Sequence, residues 1–215
     1  MSIKPPRNFV SFCIVRLRLS LAPRFLVLWF LGKFDNPFSL ARMSIPYLCS
    51  VWTQIAIDGV PCPPIEFDIF DCDAGAHFRD LCSGRHGGRY EGNKFHAVHP
   101  GSAIYGGDIT SNSGTANYFL WGREVLKSPG LVSPDGPGYL VMTLDANNRG
   151  GSMFMITLFP TGSSYVSPKE TCFGRARNPN HATLAGLSGI KSVSGDYLGA
   201  PRSTVRIMGC GLLGP

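Results

Sequence analysis

Several features are missing from this 215-residue chain, and each absence removes a class of protein. No Asn-x-Ser/Thr acceptor site and no Cys-x-x-Cys pair occurs, and the seven cysteines are an odd number spread singly along the chain. A secreted disulfide framework and a clustered zinc site are both disfavoured, and buried free thiols in a reducing compartment are expected. The uncharged apolar run Phe25–Gly32 stops after eight residues, far short of the ~20 that cross a bilayer as a helix. No G-x-S-x-G, phosphate-binding loop or H-E-x-x-H is present, so the common nucleophile, nucleotide and zinc-hydrolase signatures give no lead. Acidic residues are absent until Asp35.

That last absence divides the chain. Residues 1–50 carry Lys4, Arg7, Arg16, Arg18, Arg24, Lys33 and Arg42 against Asp35 alone, which accounts for the whole formal charge of +6. The remainder balances 13 basic against 13 acidic residues. A nucleic-acid-binding domain carries its basic footprint on itself, so no direct nucleic-acid contact is expected from residues 51–215. The 1–50 segment is rich in Arg, Ser and large apolar residues, the composition of a mitochondrial transit peptide. A secretory signal fits less well, because Arg16, Arg18 and Arg24 interrupt any apolar core. The segment is expected to be retained as an extension that anchors to partner subunits through Phe9, Phe12, Arg16, Arg18, Arg24, Leu28, Trp29 and Phe30, with possible lipid contact.

What the chain does have is 44% hydrophobic residues with 26 glycines and 17 prolines. That is enough apolar material for one core, divided among short strands and many turns. Ile65–Ile69 alternates apolar and acidic residues, the period of a half-buried strand. Val51–Ile57 runs into Asp58-Gly59, a hairpin signal. Tyr139–Leu144, Met153–Leu158 and Ser203–Met208 read as further strands. Two helices are expected, over Ala74–Cys82 and over His181–Leu187 after the start signal Asn178-Pro179-Asn180. Many short strands with two helices predict a closed β-barrel plugged at its ends.

Seven segments then carry a resemblance in order. They are IAIDGVPCPPIEFDIF (55–70), HFRDLCSG (77–84), RYEGNKFHAVHPG (89–101), YGGDIT with GPGYLVMTLD (105–110, 136–145), GGSMFMI (150–156), CFGRA (172–176) and TVRIMGCGLL (204–213). Over about Val51–Leu213 the chain resembles the cyclophilins. The resemblance implies an all-β fold with two helices, a closed eight-stranded antiparallel barrel, here following an N-terminal extension. The division expected is 1–50 as the extension and 51–215 as the cyclophilin-like domain.

The resemblance also locates a site. Rotating a prolyl bond means losing amide resonance against ~18–20 kcal/mol. A cyclophilin-type catalyst holds the proline in an apolar pocket and aims a cationic donor at its nitrogen. The family's arginine after Phe-His corresponds to Ala97, its pocket phenylalanine to Ser102, and its glutamine before Gly-Gly to Tyr105. Its backbone-binding asparagine aligns with Leu144, and its glutamine and second phenylalanine in the GGS segment with Met153 and Met155. These six are read as vestigial isomerase-site positions, with no catalytic residue assigned. The pocket's Trp and His belong to a stretch that reads TGSSYVSPKETCFG (161–174), which contains neither. By contrast Phe95, Gly106, Gly107, Asp108, Gly138, Gly151, Phe154 and Gly174, which build the fold, are kept.

Two weaker patterns read as structural. His96 and His99 form H-x-x-H without a carboxylate at ligand spacing. Asp145–Gly150 starts like a calcium loop, but the bidentate acid would fall at Ile156. No metal and no cofactor are expected. The sequence therefore predicts a pseudo-enzyme: a non-catalytic accessory subunit of a large mitochondrial assembly, in the matrix or on a membrane complex, and not secreted. A respiratory-chain or ATP-synthase complex is favoured over a mitochondrial ribosome because residues 51–215 are neutral. The alternative is a weak prolyl isomerase or a proline-peptide-binding chaperone.

Overall fold

Asp58 and Gly59 both adopt positive φ, 50° and 82°, and turn the first strand directly back on itself. This is the backbone that a two-residue hairpin with Asp-Gly requires. The computed structural model describes residues 45–129, 131–163, 166 and 170–214. The arm residues Phe9, Phe12, Arg16, Arg18, Arg24, Leu28, Trp29 and Phe30 lie outside the described residues.

The hairpin joins β1 (Tyr47–Ile57) to the two-residue β2 (Val60–Pro61), and β3 (Ile65–Phe70) pairs with the same edge of β1 nearer its start, opposite the last strand. β1 starts at Tyr47, so the strand reaches back past the expected boundary at residue 50. Next come helix α1 (Asp73–Ser83), a 3-10 turn over Arg85–Gly87, and strands β4 (Ala97–His99) and β5 (Ala103–Gly106). The second half holds β6 (Tyr139–Leu144), β7 (Gly150–Thr157), β8 (Cys172–Ala176), helix α2 (Ala182–Ser188) and β9 (Val205–Leu212). All strand pairs are antiparallel, in the order β2-β1-β3-β8-β6-β7-β5-β4, with β9 on β1.

The sheet is a curled half-barrel and not the closed barrel expected from the sequence. Its two ends, β4 and β9, share no ladder. Residues 92–95 reach β9 through the single bridge Lys94–Arg206, three backbone hydrogen bonds, Gly92 N–H to Ile207, Ile207 N–H to Asn93 and Phe95 N–H to Val205 (2.8, 2.9 and 3.0 Å), and the Arg206 guanidinium donating to the Gly92 carbonyl at 3.3 Å. A short irregular segment cannot extend a ladder, so the ends meet without merging.

Both helices lie where their patterns place them. The Cys72 side chain caps α1 by accepting from the Gly75 N–H at 3.4 Å, and Gly84 ends it in the left-handed region. Its Ala74, Phe78 and Leu81 are buried. The Asn178 side chain accepts from the Asn180 N–H, but the cap of α2 itself is His181, whose Nδ1 accepts from Thr183. Inside the curl, Phe78 stacks within 5.0–5.3 Å of Tyr90, Phe154 and Phe173. Each such ring stabilises the core by ~1.5–3 kcal/mol through burial.

Candidate functional site

Strand periodicity sends alternate side chains to opposite faces. On β5 and β7 this separates Ile104, Phe154 and Ile156, which join the aromatic core, from Ala103, Tyr105 and Met155, which face outward. Tyr105 stands opposite Met155 on one side and opposite Ala97 on the other. The outward residues form a second cluster with Phe70, Val141 and Cys172.

A hollow of about 220 Å³ opens on this outer face. Four of the six expected positions line it, Ser102, Tyr105, Leu144 and Met155. Ala97 is half-buried on β4 beside Tyr105, and Met153 is buried on β7, where its N–H donates to Asn117 Oδ1 at 2.8 Å. Neither of these two lines the hollow. Ser102 is placed by its turn: its N–H donates to the His99 carbonyl at 3.0 Å, and its carbonyl accepts from Leu158 at 2.7 Å.

The rest of the lining includes Thr143, Thr157, Phe159, Val166 and Glu170, none of which was singled out from the sequence. Thr157 continues the period-2 series Met153, Met155, so alternation could have found it. Thr143 and Leu144 reach the hollow together because the β6–β7 register shifts between Met142 and Leu144. Phe159, Val166 and Glu170 follow β7 in a stretch with no strand period. Among the described lining residues the charged one is Glu170, and it is acidic. Burial, reinforced by that negative charge, pushes the Tyr105 phenol above its ordinary range. An ionised carboxylate accepts hydrogen bonds and cannot donate one.

A network behind the site fixes β5. Asn93 accepts from the Gly107 N–H at 2.7 Å and donates to the Asp108 carbonyl at 2.8 Å. The buried Asp108 carboxylate collects the N–H groups of Ser111, Ser113 and Gly114 at 2.8–3.1 Å and the Ser111 hydroxyl at 2.6 Å. Burial raises its pKa, but these donors together outweigh it and hold the carboxyl far below the usual range.

Burial lowers the His96 pKa, and its Nδ1 is buried with no hydrogen-bond partner among the described residues. Among the described residues no group of three potential metal ligands gathers around it or elsewhere. Asp145 accepts from the N–H groups of Asn147 and Arg149 at 2.9 Å and pairs with the Arg149 guanidinium, so its loop is a closed polar turn.

The order of the segments along the chain agrees with an independent comparison. The model of the family described as cyclophilin type peptidyl-prolyl cis-trans isomerase/CLD matches residues 62–212, which is most of the chain. This chain belongs to the cyclophilin-type peptidyl-prolyl cis-trans isomerase family.

Proposed function

We propose that this cyclophilin domain does not catalyse prolyl isomerisation and serves as a binding or structural subunit. The observation that carries the reading is the side chain at position 97. Ala97 offers a methyl group where a prolyl isomerase of this family needs a cationic donor, and the lining of the adjacent hollow adds a carboxylate instead. Losing one well-aimed donor to the transition state costs on the order of 10²–10³ in rate. Ser102 in place of a pocket ring lowers apolar contact with the proline further. A protease-coupled assay on a proline-containing peptide tests this. A rate indistinguishable from the uncatalysed one supports the reading, and a rate like that of an active cyclophilin refutes it.

The presequence-like composition of residues 1–50 supports a mitochondrial setting, with the extension as tether and the domain as a rigid block in a larger assembly. The neutral charge of residues 51–215 favours a respiratory-chain or ATP-synthase complex over a ribosome. Native electrophoresis of the endogenous protein, followed by identification of co-migrating subunits, tests the placement.

One observation favours a second reading, a weak isomerase or proline-peptide binder. The hollow survives, with Met155 and Phe159 in its lining. Its 220 Å³ lies below the ~300–1,000 Å³ of a site for drug-sized ligands, and suits a single side chain. Titration of the protein with a proline peptide, followed by NMR, separates the two.

A further inference from the structure

Two cations stand face to face where the ends of the sheet meet. Lys94 and Arg206 are directly opposed in the single antiparallel bridge between residues 92–95 and β9, so their side chains leave the backbone on the same face. Like charges opposite each other across strands are destabilising. Both residues are half-buried, and neither has an ion pair among the described residues. The carboxylates of the surrounding segments are engaged elsewhere. Asp58 accepts from the Thr204 N–H at 2.7 Å, Glu91 pairs with Arg89 at 3.0 Å, and Asp108 is filled by the N–H groups of its own loop.

A hollow of about 310 Å³ opens beside Lys94, and no carboxylate is among its described lining residues. Ser203 and Thr204 line it, and their hydroxyls make no hydrogen bond among the described residues. His96 lines it as well, with its Nδ1 buried and unpartnered among the described residues. Polar groups able to donate thus gather around two positive charges with no anion to receive them. We propose that Lys94 and Arg206, together with the Ser203 and Thr204 hydroxyls, form a binding site for a phosphate group, carried by free phosphate or by a small phosphate monoester.

The chemistry selects phosphate over a smaller anion. A phosphate monoester carries a charge of about −1.5 to −2 at pH 7, which matches two cations, whereas chloride or a single carboxylate neutralises one. Arg206 donates through Nη1 to the Gly92 carbonyl at 3.3 Å, which holds the guanidinium at the seam and leaves its other N–H groups for a ligand. A guanidinium fork and an ammonium point charge are both established ways of gripping phosphate oxygens. The hydroxyls of Ser203 and Thr204 supply donors to oxygens that the cations do not reach.

The full chain, titrated at fixed pH and ionic strength with inorganic phosphate and separately with methyl phosphate, tests the site through amide chemical shifts. Holding the ionic strength constant removes the general screening effect of salt. The expected result is saturable change confined to residues 92–96 and 203–206, with chloride giving none. Lys94→Gln and Arg206→Gln remove one charge each at nearly constant size, and each is expected to weaken binding about tenfold. The wild-type titration needs no variant, so a folding defect in one of them leaves the test standing. Tighter binding of methyl phosphate assigns the ester as the ligand, and tighter binding of inorganic phosphate assigns the free ion. Shifts that rise without saturating, that chloride reproduces, or that survive both substitutions overturn the proposal.

Discussion

Tyr105 on β5 faces Met155 on β7 across the sheet, and the pair lies on the face turned away from the aromatic core. The same phenol neighbours Ala97 on β4. A side chain introduced at position 97 would therefore meet a tyrosine and a methionine in place of a preformed prolyl pocket. Ala97→Arg is expected to fold and to leave isomerisation at the uncatalysed rate, since a donor without a positioned substrate gains little. The protease-coupled assay checks this, and substantial activity in that single variant would show that the pocket is still competent.

Gly107 and Gly59 make a matched pair for the second prediction. Both have positive φ, 91° and 82°. A Cβ on Gly107 would run into the Ser152 carbonyl and the Met153 Cα, whereas Gly59 has open space around it. Gly59→Ala is expected to cost about 1–2 kcal/mol, the left-handed penalty alone. Gly107→Ala is expected to cost clearly more, above ~3 kcal/mol, because strand backbone must also shift. Urea denaturation of both variants measures the gap, and equal losses would contradict it.

The contrast between local and distant features explains what the sequence made legible. The Asp58-Gly59 hairpin, β6 over Tyr139–Leu144 and α1 around Phe78 and Leu81 all announce themselves within a few residues, through turn chemistry or period. The half-barrel did not. Whether β4 and β9 join depends on residues 92–95, whose Gly-Asn-Lys-Phe has no alternation and whose partners lie more than 100 positions away. At the site, Ser102, Tyr105, Leu144 and Met155 were found by likeness to the family. Glu170 and Phe159 were not, because they come from a stretch with neither strand period nor family spacing.

Asp108 is expected to contribute to the loss of stability in acid. Its donors hold its folded pKa below the ordinary carboxylate value of ~3.9. A group depressed in this way stabilises the fold above its unfolded pKa, and that stability is lost as pH falls through the folded one. Thermal stability is expected to drop as pH goes below ~4. Asp108→Asn is expected to be less stable at neutral pH and to show a shallower drop there. An unchanged acid profile in that variant would remove Asp108 as the cause.

His77 acts in a higher window. It is 1% exposed on α1, its Nε2 accepts from the Leu120 N–H at 3.1 Å, and its ring meets Trp121 edge-on at 5.2 Å. That hydrogen bond requires an unprotonated Nε2. Burial pushes the pKa down to about 4, although the charges of Asp73 and Asp80 oppose it. The unfolded chain takes up its proton near pH ~6.5, so stability from His77 is full above that pH and is lost progressively as pH falls from 6.5 toward 4. The difference amounts to roughly 3 kcal/mol at most. His77→Gln keeps an acceptor for Leu120 and removes the titration, so its stability should change little between pH 7 and 4.5 while the wild type weakens. His77→Phe leaves the Leu120 N–H without its partner and is expected to cost ~1–3 kcal/mol already at pH 7. Urea melts at the two pH values decide. A wild type as stable at pH 4.5 as at pH 7 would mean that the imidazole is not held neutral by the fold.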